Sequence, residues 1–334
     1  MKATYITAEL AQAHDGSLGI LHSYIDAVKT TGVDAIKFQT HIAEAESSKH
    51  EPFRVKFSAQ DASRFEYWKR MEFSTEQWGE IKKHCEEVGL EFISSPFSLQ
   101  AVDLLESLGV KRYKIGSGEV SNLLMLEKIA RTNKPVMLSS GMSDWNELDA
   151  AIQFLKARQT QVSLFQCTTQ YPTSAEDIGL GMIPLMRDRY QVPVGLSDHS
   201  GEIFPALAAA TLGAEMVEVH TVFDKRMFGP DAKSSLTIDQ LAEMVRGVRF
   251  IEKSLEADYQ KNSLNRFTEM RKIFGKSLAV NRNLSAGTQI EFNVLESKKP
   301  ADFGIPATEF EKVLGRTLIR DLKKWDFLNE SDLE

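Results

Sequence analysis

The chain is poor in the residues that staple or anchor a protein. It has two cysteines among 334 residues, Cys85 and Cys167. Two cannot build a disulfide framework, and both suit a reducing compartment in which each is a small core residue. Long apolar runs are missing as well. The longest uncharged one, "IFPALAAATLGA" from Ile203, falls far short of the ~18 residues needed to cross a bilayer. The opening "MKATYITAEL" meets Glu9 after only a few apolar residues, which is not the pattern of a secretory signal. No long basic block occurs, and the formal net charge is −7. These absences argue against nucleic acid and membrane as partners, and for a cytoplasmic protein. They leave room for a local basic pocket that takes a small anion.

What is present is an alternation. Short apolar runs begin with "YITAEL", "AIKFQT", "EFISSP" and "YKIGSG", and continue with "PVMLSS", "VSLFQC", "VPVGLS" and "MVEVHT". Amphipathic segments of helical period, such as "EQWGEIKKHCEEVG", separate them. Parallel strands need crossover helices, so eight such units predict a closed (β/α)8 barrel over residues 1–256, with an open doubly wound sheet as the competing architecture. The stretch between Thr40 and Ser74 is too long for an ordinary connection and follows a strand end. It reads as a lid or substrate loop, or as a plain surface excursion. Residues 257–274 are polar and read as a partly helical linker. Beyond it, "AVNRNLSAGTQIEFNVLE" (279–296) and "TLIRDLKKWDFLNESDLE" (317–334) align without gaps. This predicts a small domain over 275–334 built from two similar halves.

In a barrel the chemistry sits at the C-terminal ends of the strands. Those ends collect Glu9, Lys37, Gln39, Ser95, Lys114, Ser117, Glu119, Ser139, Thr169, Tyr171, Ser197 and Glu218. A lysine inside a parallel strand is costly unless paired, so Lys37 and Lys114 point to an anion site, or to pairing with a barrel carboxylate such as Glu9. His199 and His220 close two successive strands. They could hold Mn²⁺, Fe²⁺, Co²⁺ or Zn²⁺, or form a hydrogen-bonded or acid–base pair. His41 follows a strand end and is ambiguous, whereas His22, His50 and His84 read as surface residues. "GSGEVS" lacks the third glycine of a dinucleotide fingerprint, so a nicotinamide cofactor is not expected.

The motifs "AELAQAHDGS", "IKFQTH", "FISSPFS", "YKIGSGE", "LSSGM", "CTTQYPT", "VGLSDHS" and "EVH…GPD" occur in this order. The series resembles the sialic acid (nonulosonate) synthases. The C-terminal duplication resembles the antifreeze-like (SAF, β-clip) domain those enzymes carry. The resemblance implies a TIM barrel with an antifreeze-like domain, in a domain-swapped homodimer whose small domain caps the partner's barrel mouth. It implies a transferase that condenses phosphoenolpyruvate with an N-acylated mannose-type sugar, giving a nine-carbon α-keto acid and phosphate. On it, His199 and His220 match divalent-metal ligands, Mn²⁺ ahead of Mg²⁺ or Co²⁺, for a metal that polarises the sugar aldehyde. Lys37, Ser95, Lys114, Ser117, Ser139, Thr169 and Ser197 match phosphoenolpyruvate-binding positions. Gln39, Tyr171, Asp231 and Lys299 match positions around the sugar. Glu9, then Glu119, is expected to handle protons.

Four positions depart from the family's pattern. Ala13-His14 stands where an Asn-His pair is usual, and Thr169 where asparagine is common. Lys299 replaces an arginine that reaches the N-acyl group, and a lysine cannot supply its planar fork. Trp325 replaces a turn glycine, from which a differently built turn is expected. Neuraminate, legionaminate-type and pseudaminate-type products stay open. The competing enzyme reading is a metal-dependent aldolase or another phosphoenolpyruvate-using synthase on the same barrel. A sugar-binding protein on a vestigial barrel is opposed by the two strand lysines.

Overall fold

The eight apolar runs become eight parallel strands. They are β1 (Tyr5–Glu9), β2 (Ala35–Thr40), β3 (Glu91–Pro96), β4 (Tyr113–Ile115), β5 (Val136–Ser139), β6 (Val162–Cys167), β7 (Val194–Asp198) and β8 (Met216–Val222). The computed structural model describes residues 3–55, 57, 60–262 and 265–334. Hydrogen-bonded ladders run β3-β2-β1-β8-β7-β6-β5-β4, and β3 packs beside β4 to bring the ring round. The architecture is the (β/α)8 barrel, not the open sheet. A short β9 (Leu236–Thr237) adds to β8 in parallel.

Each crossover helix buries one stripe on the barrel. Leu18–Lys29 is capped by Ser17, whose hydroxyl accepts from the Ile20 N–H. It buries Leu21, Tyr24, Ile25 and Val28, the i, i+3, i+4, i+7 spacing of a core-facing helix. Thr75–Glu87 begins with a capping box from Ser74 and Gln77 and buries Trp78, Ile81 and Cys85. β7 has a special need. A Cβ on Gly195 would lie 2.3 Å from the Met216 carbonyl oxygen, so only glycine lets β7 cross β8 there.

The long stretch after β2 is built, not bare. It contains helices Ala43–Glu46 and Arg64–Met71. Ala43, Tyr67, Trp68 and Met71 form its own buried cluster, with Phe53, Phe57 and Phe65 packed against it.

The chain divides into two compact units, Met1–Ala257 and Asp258–Glu334. The second contains the short helix Thr268–Phe274. There β10 (Ser277–Val280) pairs antiparallel with β11 (Leu295–Lys298). A separate core gathers Leu278, Val280, Leu284, Ile290, Val313, Leu318, Leu322 and Leu328, among others. The duplication is visible in three dimensions. Leu284 and Leu322, equivalent in the two halves, exchange backbone hydrogen bonds. Gly287 N–H donates to Leu318, while its equivalent Trp325 N–H donates to Val280.

That symmetry overturns the expectation about Trp325. Gly287 has φ +85° and Trp325 has φ +78°. The turn is therefore the same in both halves, and the tryptophan adopts the left-handed conformation that its counterpart leaves to glycine. Trp325 is 55% exposed. Lys298 and Lys324 place their Nζ atoms 4.8 Å from the centre of its ring.

Candidate active site

Parallel strands end at one mouth, and the ladder register decides which side chains meet there. β1 sets Glu9 opposite Lys37 on one side and His220 on the other. β2 sets Gln39 opposite Ser95, β6 sets Cys167 opposite Ser197, and β7 sets Ser197 opposite Glu218. A cavity of about 370 Å³ opens over these ends. Fourteen of the fifteen site residues expected from the sequence line it, from Glu9 to Asp231. Lys299 is the exception. It lies in the second unit, with its Nζ 4.9 Å from the centre of the Phe274 ring.

The floor is a buried charge cluster. Lys37 Nζ lies 2.6 Å from Glu9 Oε2 and 3.6 Å from Glu218 Oε1, and Lys114 Nζ lies 2.8 Å from the same Glu218 oxygen. The pairing alternative for the lysines is thus realised, within the cavity itself. Burial opposes the Lys37 ammonium, but Glu218 and Glu9 outweigh it and hold its pKa above the ordinary lysine value. Lys114 goes the other way, lowered by burial and by Lys37 although Glu218 opposes. Glu218 is buried too, yet Lys114 and Lys37 keep it below the usual carboxylate range. Two lysines sharing two carboxylates have donors to spare for an anion.

Hydroxyls surround that floor. Lys37 Nζ donates to Ser95 Oγ at 3.4 Å, Ser197 Oγ donates to Glu218 at 3.3 Å, and Gly141 N–H donates to Ser117 Oγ at 3.0 Å. A Cβ on Gly141 would fall 2.4 Å from Thr169 Oγ1 and 2.6 Å from Ser117 Oγ. The glycine of "LSSGM" is needed so that these hydroxyls can approach the backbone. Thr169 Oγ1 and Glu218 Oε2 are buried without a hydrogen-bond partner among the described residues, a cost that a bound ligand would relieve.

At the rim, His199 and His220 lie with ring centres 5.1 Å apart. His199 Nδ1 is 2.8 Å from the Thr168 carbonyl, which can only accept. The proton is therefore on Nδ1, and Nε2 keeps its lone pair, 3.2 Å from the Tyr171 hydroxyl that donates to it. Burial, with His220 adding to it, lowers His199 to about 3, so the ring is neutral at physiological pH. A neutral His199 imidazole whose Nε2 keeps its lone pair, beside the His220 ring, fits a divalent metal. Among the described residues no third His, Cys, Asp or Glu completes a cluster around them. The donors that the described residues would offer such an ion are these two histidines.

Glu9 and Glu119 differ in setting. Glu9 Oε1 accepts from Gln39 Nε2 at 2.8 Å beside the lysine floor. Glu119 accepts from Asn122 at 2.8 Å, and burial raises its pKa.

Sequence reasoning offered a substrate loop after β2 as one alternative but named none of its site residues. The segment after β2 lines the cavity with Glu46, Glu51, Arg54, Arg64 and Trp68. Ambiguous His41 is buried there, stacked between Trp68 and Phe97 at 3.8 and 4.5 Å, with Glu46 2.6 Å from its Nδ1. Apart from His41, the last residue of "IKFQTH", no motif marks these residues, because aperiodic loops carry no repeat from which facing could be read. Gln12 is also in the lining, and its Nε2 donates to Gln39 Oε1 at 2.8 Å. Cys167, read as core, lines the cavity too, while Cys85 is a buried core thiol.

The NeuB family matches residues 24–260. The chain belongs to the NeuB family. It is an enzyme, a carbon–carbon bond-forming transferase of the nonulosonate synthase type. The N,N'-diacetyllegionaminic acid synthase of Campylobacter jejuni is 33% identical over 99% of this chain and 100% of its own length. The mouse N-acetylneuraminate-9-phosphate synthase is 30% identical, covering 99% of this chain and 92% of its own. Among solved structures, the N-acetylneuraminic acid synthetase of Leptospira borgpetersenii matches with TM-score 0.70 and 27% identity, over 81% of this chain and 92% of its own. The family motifs and the cavity coincide: of the eight motifs, each places at least one residue in this NeuB mouth.

Proposed function

We propose that the enzyme condenses phosphoenolpyruvate with an open-chain N-acyl hexosamine to give a nine-carbon α-keto acid and phosphate. The observation that carries this reading is the pairing, in one cavity, of a floor with two buried lysines and two adjacent rim histidines. Lys37 and Lys114, with the hydroxyls of Ser95, Ser117, Ser139, Thr169 and Ser197, would hold the phosphate and carboxylate of phosphoenolpyruvate. Gln39, Tyr171 and Asp231 would orient the sugar, with its aldehyde toward His199 and His220. Those two histidines would hold a divalent metal, Mn²⁺ first and Mg²⁺ or Co²⁺ after it, which supplies Lewis acidity at the aldehyde oxygen.

The bond changes balance. C3 of phosphoenolpyruvate forms a bond to the aldehyde carbon, whose oxygen takes a proton. Water adds to the cation left at C2, and the tetrahedral carbon then loses phosphate by C–O cleavage as its hydroxyl becomes the ketone. Glu9, aimed by Gln39 and set beside Lys37, can accept the proton that water loses and return one to the new hydroxyl. Glu119 is the second carboxylate for that work.

The second unit supports an antifreeze-like module by its duplicated halves. Exposed Phe267, Met270, Ile273 and Phe274 support a homodimer, the domain-swapped form being the one proposed. No described helix is long and apolar enough to cross a membrane, and two unpaired buried cysteines support the cytoplasm as its place.

The test is phosphate release from phosphoenolpyruvate with Mn²⁺ against 2-acetamido and 2,4-diacetamido mannose-type sugars. Release with one sugar, abolished by EDTA and restored by Mn²⁺, is expected. A simple pyruvate aldolase would release no phosphate, and absence of phosphoenolpyruvate binding would sink the synthase reading.

A further inference from the structure

The relatives divide by whether their named product carries a phosphate, and the outer wall of this cavity bears on that choice. It draws mainly on the segment after β2. Its charged side chains among the described residues are Arg54 and Arg64 against Glu46, Glu51 and Asp231. Two guanidiniums against three carboxylates leave a net charge of −1, whereas Lys37 and Lys114 balance Glu9 and Glu218 at the floor.

Both guanidiniums are already faced by acid. Arg54 Nη2 lies 2.7 Å from Asp231 Oδ1, and its plane lies over the Tyr171 ring, 4.1 Å from the centre. The His199 ring stacks on Tyr171 at the same 4.1 Å, nearly parallel at 23°. Two flat groups that close to one ring must take opposite faces, so Arg54, Tyr171 and His199 form a stack from wall to rim. Arg64 lies over Trp68 at 4.1 Å, with its Nε 3.5 Å from Glu51. Glu51 in turn accepts from Trp68 Nε1 at 3.1 Å through each oxygen. Each arginine thus has one face on an aromatic ring and an acid at its edge.

We propose that this wall selects an acceptor whose distal end is uncharged, a hydroxyl or a methyl group in place of a phosphate. A phosphate there would face a wall that is net negative, with guanidiniums that must first give up carboxylates to reach it. The cavity then separates its two substrates by charge: the anion goes to the floor, the neutral polyol to the wall. This rests on the synthase reading above, and it selects within that reading the class whose product is a free nonulosonic acid. Arg54 and Glu51 are the specificity-determining residues, the first fixing the Tyr171 side of the wall and the second neutralising Arg64.

The experiment compares N-acetylmannosamine with its 6-phosphate, and a 2,4-diacetamido-6-deoxy sugar, as acceptors for the full chain with phosphoenolpyruvate and Mn²⁺. The expected result is a kcat/KM at least ~100-fold higher for a neutral acceptor than for the 6-phosphate. Glu51→Gln should narrow that ratio ~10-fold, chiefly through the KM of the 6-phosphate, as one wall charge is removed. Equal or better use of the 6-phosphate overturns the proposal and leaves the synthase reading standing. An unchanged ratio in Glu51→Gln, with the variant folded by circular dichroism, overturns the role of the wall charge. Formation of α-keto acid from no acceptor overturns the synthase reading, and the proposal with it.

Discussion

A buried histidine outside the catalytic set shows how far one residue can couple chemistry to stability. His14 is 3% exposed, and its Nδ1 accepts from the Gly16 N–H at 3.0 Å. Burial, with His41 and Arg70 adding to it, lowers its pKa from 6.5 to about 3. A folded-state value below the unfolded one means that the unfolded chain binds more protons as pH falls. Stability from this group is therefore complete above about 6.5 and is lost as pH drops toward about 3. Between pH 7 and pH 5 the loss is about 2 kcal/mol. Urea unfolding at the two pH values should show this, and His14→Gln should lose about 2 kcal/mol less over the same interval. Equal slopes for the two proteins would mean that the ring is hydrated or charged in the folded state. The lysine pairings belong to this scale too. Lys37 and Lys114 were legible as buried cations in need of partners, with Glu9 a candidate; ladder register sets Glu9 against Lys37, whereas Glu218 of β8 meets Lys114 of β4, a strand it does not neighbour.

At the scale of the element, glycine decides two close fits. A Cβ on Gly195 would fall 2.3 Å from the Met216 carbonyl oxygen, so only glycine lets β7 pass there. Because β7 and β8 carry His199 and His220 just past the crossing, Gly195→Ala should force the strands apart. A loss of at least ~2 kcal/mol in chemical denaturation is expected, with weaker Mn²⁺ binding by calorimetry. Unaltered metal affinity in a destabilised variant would mean that the rim does not depend on this crossing. In the second unit the relation is reversed, since Trp325 occupies a glycine conformation. Trp325→Gly should raise stability by about 0.5–1 kcal/mol, as relief of a left-handed strain outweighs the added backbone freedom. A loss of stability would show that the lysines flanking the ring contribute more than the strain costs. The segment after β2 was recognisable by its length alone, and its helices and aromatic cluster were not.

At the scale of the whole molecule there are two cores with no residue in common. Leu328 is fully buried in the second, and Leu328→Ala should destabilise that unit by ~2–5 kcal/mol. Calorimetry should show one transition falling while the barrel transition keeps its midpoint. A common shift of both would mean that the two cores unfold together. The division of labour between sequence and fold is clear at this scale. Alternating apolar and helical periods determined a parallel sheet with helical crossovers, because parallel strands need such connections, and the closure of that sheet into a barrel was decided by the fold. Strand-end composition determined which residues face the mouth, because a strand's polarity alternates predictably and its tip is exposed in one direction. The internal repeat determined the paired halves of the small unit. Only the tertiary structure decided which carboxylate meets which lysine, which histidine nitrogen is free, and which loop arginines wall the cavity. Those depend on register between strands, on closure of the barrel and on an aperiodic segment, and none of these leaves a local signature along the chain.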